Sequence, residues 1–265
     1  MNDFPAAWDD GTSSTGPDHQ VHWYDDRTAI IRQALRTNFE GPFLYLLLGS
    51  ERALLLDTGT GHAELRAVVG ELLAGQGLEL VVAHTHGHGD HTGGDSQFPA
   101  EQVVGGPAEY FGIERWPEQI VQFDLGDRLL DVIPIPGHQG SDLAFYDRTT
   151  RLLLTGDSLY PGRLYVPDWT AYRSSIARLA GFVAAGNPVS WVLGAHIELT
   201  STPPVDLKPG ADRHPGEFEP GADRHPDEHE LQLAPGVLTE LAVALDEAGP
   251  EPRRIERDHF VVVPR

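Results

Sequence analysis

His84-Thr85-His86-Gly87-His88-Gly89-Asp90-His91-Thr92-Gly93-Gly94 is the stretch whose reading decides the fold. Four histidines and one aspartate fall within eight residues, directly after an apolar run at 78–83. Crowding imidazoles together in a protein interior is costly unless something uses them. The intervening glycines let the backbone turn tightly, so neighbouring side chains can converge on an ion. Zinc takes imidazole nitrogen and carboxylate oxygen in tetrahedral or open five-coordinate sites. A solvated loop produces a lone His-x-His easily. The fuller His-x-His-x-Asp-His after a strand is far more specific.

Outward from this segment strands come before helices in two successive halves, without a strict strand–helix alternation, an order that a sandwich of two sheets with helices outside fits. Apolar runs at 43–48 and 53–56 read as two buried strands joined by the turn Gly49-Ser50-Glu51-Arg52. Leu65, Val68, Val69, Leu72 and Leu73 share one face of a helix over 62–74. A short mixed stretch covers 95–116. Strands are expected at 78–83, 119–123, 128–135, 143–146, 152–155, 189–193 and 259–263, with helices at 172–185 and 236–247. Residues 1–20 read as a flexible tail, and 21–265 as one domain. A loop insertion at 201–230 carries a duplication: Pro-Gly-Ala-Asp-Arg-His-Pro at 209–215 recurs at 220–226. Two short copies lengthen a surface loop; a substrate-covering loop, or an accessory metal site using His214 and His225, is the sharper alternative.

The bulk numbers set limits. The chain has 265 residues and no cysteine, so thiolate metal sites and disulfides are ruled out. Any metal must sit on His, Asp or Glu. The formal charge of -21 and the lack of a basic stripe argue against nucleic-acid partners. Lys208 is the only lysine, the other basic residues being arginine. No apolar run approaches the roughly 18 residues of a membrane span, and the start does not read as a secretory signal. The expectation is a cytoplasmic protein with a small-molecule substrate, no nucleic acid and no membrane. The oligomeric state stays open, a homodimer among the options.

The Thr85-His86-x-His88-x-Asp90-His91 segment resembles the signature of the metallo-β-lactamase superfamily. Pro136-Gly137-His138, Thr155-Gly156-Asp157 and Gly194-Ala195-His196 resemble the rest of its ligand set, in family order. Asp57-Thr58-Gly59 resembles its supporting aspartate motif. The resemblance covers about residues 28–200. It implies an α+β fold, the αββα sandwich of two mixed β-sheets with helices on the outer faces. It also implies two divalent metal ions, zinc first, with iron or manganese as other fits. His86, His88 and His138 would hold one ion, and Asp90, His91 and His196 the second, with Asp157 bridging. Asp90 is carried over as a catalytic carboxylate as well. Asp57 would hydrogen-bond a ligand histidine and fix its tautomer. His84 lies just outside the matched pattern and reads as structural.

Two dications sharing a carboxylate and a hydroxide lower the pKa of water toward neutrality and polarise the electrophile. Two classical zinc β-lactamase subclasses use a cysteine ligand, absent here, and the third lacks the bridging aspartate. The flavin-fused di-iron branch carries glutamate where this chain has His88. What remains resembles the glyoxalase II-like and lactonase-like hydrolases. The expected activity is dinuclear hydrolysis of a carboxylic ester, thioester or lactone. A phosphodiesterase on the same core, a mononuclear iron sulfur dioxygenase and a non-catalytic relative are the alternatives. Tyr160 would either donate a hydrogen bond to the substrate oxyanion or pack under the site. Tyr165, Trp169 and Tyr172 would line an apolar pocket or belong to the core. Arg163 and Arg173 are the cations available to a glutathione-like substrate.

Overall fold

The computed structural model describes residues 3–12, 15–201 and 227–265. The duplicated segment, with His214 and His225, lies outside the described residues. The chain forms two compact units. One is Met1–Pro134 with Phe145–Thr149; the other is Ile135–Ala144 with Thr150–Arg265.

The first unit holds a five-stranded sheet in sequence order: β1 (His19–Asp25), β2 (Thr28–Gln33), β3 (Phe43–Leu48), β4 (Arg52–Leu56) and β5 (Glu79–Ala83). The first four run antiparallel; β4 and β5 are parallel, with helix α1 (Leu65–Leu72) between them in sequence. Strands β2 and β3 are buried throughout, which is why 43–48 reads as an unbroken apolar run. Ile31, Leu44, Leu46, Leu55, Val69, Val82 and Phe98 belong to one core cluster. Short helices α2 (Gly89–Thr92) and α3 (Pro107–Tyr110) follow, then the antiparallel pair β6 (Val121–Asp124) and β7 (Leu129–Pro134). Arg128 and Asp147 form a buried pair at 2.6 Å, and Arg128 also donates to the Thr28 hydroxyl at 2.7 Å. Removing one partner of such a pair costs about 3–5 kcal/mol, because the other charge stays buried.

The β1–β2 hairpin was not legible in the sequence. β1 has a neighbour only on the β2 side and carries polar residues, so its alternation is weak. The tail expected over 1–20 also packs in part: Trp8 is buried edge-on against Phe43, with ring centroids 5.0 Å apart.

Strand β8 (Leu143–Asp147) is divided between the units. The second unit contains β9 (Leu152–Gly156), β10 (Arg163–Val166), α4 (Trp169–Ala184), β11 (Trp191–Gly194), β12 (Gln232–Leu233), α5 (Pro235–Ala248), β13 (Ile255–Glu256) and β14 (Val261–Pro264). β9 and β11 pair in parallel, with α4 between them in sequence, and β12 adds antiparallel to β11. A separate sheet has the order β10-β14-β13. Helix α4 begins at Trp169, ahead of the expected 172, because Asp168 caps it: its carboxylate accepts the Ala171 N–H at 2.9 Å. Strands β10, β12 and β13 span four residues or fewer, too short for a periodic signal. No helix among the described residues is long and apolar enough to cross a membrane.

Candidate functional site

Each unit presents polar residues where two parallel strands end. In the first unit the β4–β5 register closes on Leu56↔Ala83, so Asp57 and His84 follow side by side. Asp57 has φ +68, a left-handed conformation that costs an ordinary side chain on the order of 1–2 kcal/mol and that Asp tolerates better than most. The strain turns a buried carboxylate toward the histidine segment. One oxygen accepts the Thr85 N–H at 2.7 Å; the other accepts the Thr85 hydroxyl at 2.9 Å and lies 2.8 Å from His91 Nδ1. The carboxylate therefore places the His91 proton on Nδ1 and leaves a lone pair on Nε2. Burial alone would raise the Asp57 pKa. The facing His91 and His84 rings outweigh it and hold the acid well below the ordinary carboxylate range.

His84 sits between two carboxylates, Nε2 3.1 Å from Asp95 and Nδ1 3.8 Å from Asp57. Burial opposes its protonation, but hydrogen bonding and charge from Asp57 and Asp95 prevail and raise its pKa to about 9. His84 is thus a cationic brace, consistent with its structural reading. Beyond it, His86 Nε2 and His88 Nδ1 stand 3.0 Å apart, and His91 Nε2 lies 3.2 Å from Asp90. Gly93 permits the close approach behind this segment: a Cβ there would meet the Thr60 carbonyl carbon at 2.5 Å.

In the second unit the β9–β11 register closes on Gly156↔Gly194, so Asp157 and His196 emerge from adjacent strand ends. Gly137 brings the third element in. It has φ +153, and a Cβ would lie 2.4 Å from the Tyr172 Cα, so glycine alone lets this turn dock on α4. His138 Nδ1 donates to the Tyr165 carbonyl at 2.9 Å, which places the lone pair on Nε2. Asp157 then faces two imidazoles at once: Oδ2 is 3.5 Å from His138 Nε2, and Oδ1 is 3.3 Å from His196 Nε2. Charge-assisted hydrogen bonds of this type run about 2.7–2.9 Å. Two donors on one tetrahedral ion, each at its usual bond length, stand about 3.3–3.4 Å apart. The spacing suits shared ions better than direct bonding. With no sulfur available, these nitrogen and oxygen donors suit zinc, iron or manganese.

Tyr160 is buried, its ring edge-on to His196 with centroids 5.5 Å apart. Its hydroxyl donates to the Arg163 carbonyl at 2.5 Å and stands 3.2 Å from Glu198. Burial, then the charges of Glu198 and Asp157, push the phenol well above its ordinary pKa of 10. Its single proton is committed within the protein, which supports the packing role and not the oxyanion role. Trp169 donates to Gly249 O and Tyr172 to Ser158 O; both rings are buried, so they belong to the core. Tyr165 is partly exposed beneath the Arg265 guanidinium. Arg173 donates to Leu245 O in α5, so it braces the two helices. Sequence reasoning missed Asp95, Glu198 and the Tyr165 carbonyl, and it gave Thr85 a place in the motif but no role. Asp95 and Glu198 have no motif of their own, and a carbonyl is invisible in a sequence.

Comparison with known proteins adds the following. The family model for the metallo-beta-lactamase superfamily matches residues 95–235, a span that includes His138, Asp157 and His196. A hydroxyacylglutathione hydrolase from Methylobacillus flagellatus is 32% identical over 54% of this chain and 58% of its own length. The human acyl-coenzyme A thioesterase MBLAC2 is 28% identical over 49% of this chain and 61% of its own length. The chain therefore spans about six tenths of the length of these relatives. Among solved structures, a metallo-beta-lactamase from Pontibacter korlensis superposes with a TM-score of 0.53 at 17% identity, covering 67% of this chain and 91% of its own. The DIM-1 metallo-beta-lactamase gives 0.52 at 14%, over 68% of this chain and 90% of its own. At these identities the likeness concerns the α+β fold alone.

Proposed function

Because the chain belongs to the metallo-β-lactamase superfamily, we propose that it is a metal-dependent hydrolase whose first substrate class is thioesters, with carboxylic esters and lactones next. As the resemblance of their motifs implies, His86, His88, His138 and Asp157 would hold one divalent ion, and Asp90, His91, Asp157 and His196 a second. The observation that carries this reading is Asp157, whose two oxygens each face a different imidazole at tetrahedral ligand spacing. Such ions, when bound, bring a water's pKa toward neutrality and polarise a carbonyl oxygen. Zinc is the first choice, with iron or manganese accepted by the same donors.

The chain's own residues contribute orientation and proton placement. Asp57 and the Tyr165 carbonyl hold His91 and His138 in the tautomer that turns Nε2 to the ligand side. Asp90 Oδ2 stands 3.2 Å from His91 Nε2, and it would take up the proton of the attacking water as general base. Tyr160 keeps its proton on Arg163 O and supports His196 through ring contact. A thioester tolerates this arrangement well: a thiol of pKa about 8.5 leaves as the thiolate and needs no proton donor. The names of the two curated relatives point the same way, toward glutathione and coenzyme A thioesters. The reading places the chain in the cytoplasm, whose thiols glutathione keeps reduced.

The test is elemental analysis of the purified protein, with a reconstituted screen on thioester, ester, lactone and phosphodiester substrates. The expected result is two ions per chain and thioester turnover abolished by chelation. A single iron with oxygen uptake on a persulfide, or phosphodiester turnover alone, would sink the proposal.

A further inference from the structure

Away from these residues, two imidazoles of the second unit face one another. His229 follows the Thr200↔Glu228 bridge, and His259 lies in the turn between β13 and β14. His229 Nε2 is 3.0 Å from His259 Nδ1, with ring planes at 90° and centroids 5.2 Å apart. His229 Nδ1 lies 2.7 Å from the Glu230 carbonyl. A carbonyl only accepts, so the His229 proton sits on Nδ1 and the lone pair on Nε2. Two features of the candidate centre recur here. A main-chain carbonyl fixes one ring's tautomer, as Tyr165 O does for His138, and the nitrogen separation equals that of His86 and His88.

We propose that His229 and His259 form a separate metal site that binds one borderline divalent cation of tetragonal preference, such as copper(II) or nickel, through His229 Nε2 and His259 Nδ1. Two imidazole nitrogens on one ion at right angles, each about 2.0–2.1 Å from it, stand about 2.9 Å apart. The observed separation needs almost no movement to admit the ion. His259 must carry its proton on Nε2 to ligate through Nδ1, a tautomer shift available to any imidazole. Burial lowers the His229 pKa, so this ring is neutral near pH 7 and ready to coordinate. Water fills the remaining positions, which makes the site weaker than a centre with four protein ligands. The chain's charge of -21 favours any cation that approaches.

The site also has a structural consequence. Ser201 N–H donates to Asp227 O at 2.7 Å, and His229 N–H to Leu199 O at 2.9 Å, so the stretch after His196 is already paired with 227–229. An ion on His229 and His259 would fasten that pair to the β13–β14 turn. β14 lies beside β10, with Tyr165 opposite Val263.

The experiment uses the whole 265-residue chain already loaded with zinc. One equivalent of copper(II) is added and followed by calorimetry and electron paramagnetic resonance, with zinc measured in parallel. The wild type should take up one copper with coupling to two imidazole nitrogens. His259→Gln should lose that copper while keeping its zinc and its turnover, and His229→Gln should do the same. His259 lies in a half-exposed turn, so its substitution leaves folding intact and keeps the test decisive if His229→Gln misfolds. Identical copper uptake and spectra in wild type and His259→Gln would overturn the proposal.

Discussion

The two units solve the same local problem in different ways. In the first, Asp57 and the His84–His91 segment emerge from the ends of β4 and β5, a parallel pair separated in sequence by α1. In the second, Asp157 and His196 emerge from β9 and β11, a parallel pair separated by α4. Strand ends of parallel pairs are where ligands commonly bind in α/β arrangements. The support differs. The first unit orients His91 with a buried carboxylate, which needs a cationic His84 and Thr85 to keep it ionised. The second orients His138 with a main-chain carbonyl, which carries no charge and needs no partner. Charged support imposes desolvation costs; carbonyl support does not. The first half should therefore be the more sensitive to mutation of supporting residues and to acid.

The largest expected effect falls on the residue both ions would share. Asp157→Ala should lower turnover on the order of 10³-fold, as removal of a main electrostatic stabiliser does, and reduce bound metal. Steady-state kinetics with elemental analysis on the same preparation checks this. Unchanged metal content would break the bridging assignment. Next, Asp57→Asn keeps shape and tolerates the positive φ but removes the charge between His84 and His91. Metal affinity should fall about 10–100-fold in chelator competition. No change would mean that the two modes of support are equivalent, and the contrast would fail.

Acid should separate the halves further. His19 in β1 is buried, and burial lowers its pKa from 6.5 to about 4. Between these values the unfolded chain binds more protons than the folded one. Stability is complete above about pH 6.5 and is lost as pH falls toward 4, by up to about 3 kcal/mol. Denaturant midpoints from pH 7 to 4 should show this slope, and His19→Gln should flatten it. The smallest effect is expected from Tyr160→Phe. The ring that meets His196 remains, while hydrogen bonds to Arg163 O and Glu198 are lost. A cost of about 1–2 kcal/mol in stability with kcat/KM changed less than about threefold is expected. A loss near 10²-fold or more would restore Tyr160 as an oxyanion donor.

Legibility followed sequence distance. The first half of the site sits within a few residues of one strand end, so its ligand spacing can be read as a word. The second half is spread from His138 to His196, and only resemblance to a family ordered it. Long apolar strands such as 43–48 and 152–155 were visible because burial on both faces writes an unbroken run. β10, β12 and β13 were not, since so few residues cannot display a period.

By itself the sequence determined the donor chemistry: nitrogen and oxygen ligands without sulfur, a histidine segment behind an apolar run, and a strongly anionic chain. It did so because residue type sets ligand preference and charge directly. Only the tertiary structure decided how those donors are oriented. The Asp57 carboxylate, the Tyr165 carbonyl opposite His138, the commitment of the Tyr160 proton to Arg163 O and the meeting of His229 with His259 all depend on strand register and turn geometry. Those arise from packing between residues far apart in the chain, which no local spacing records.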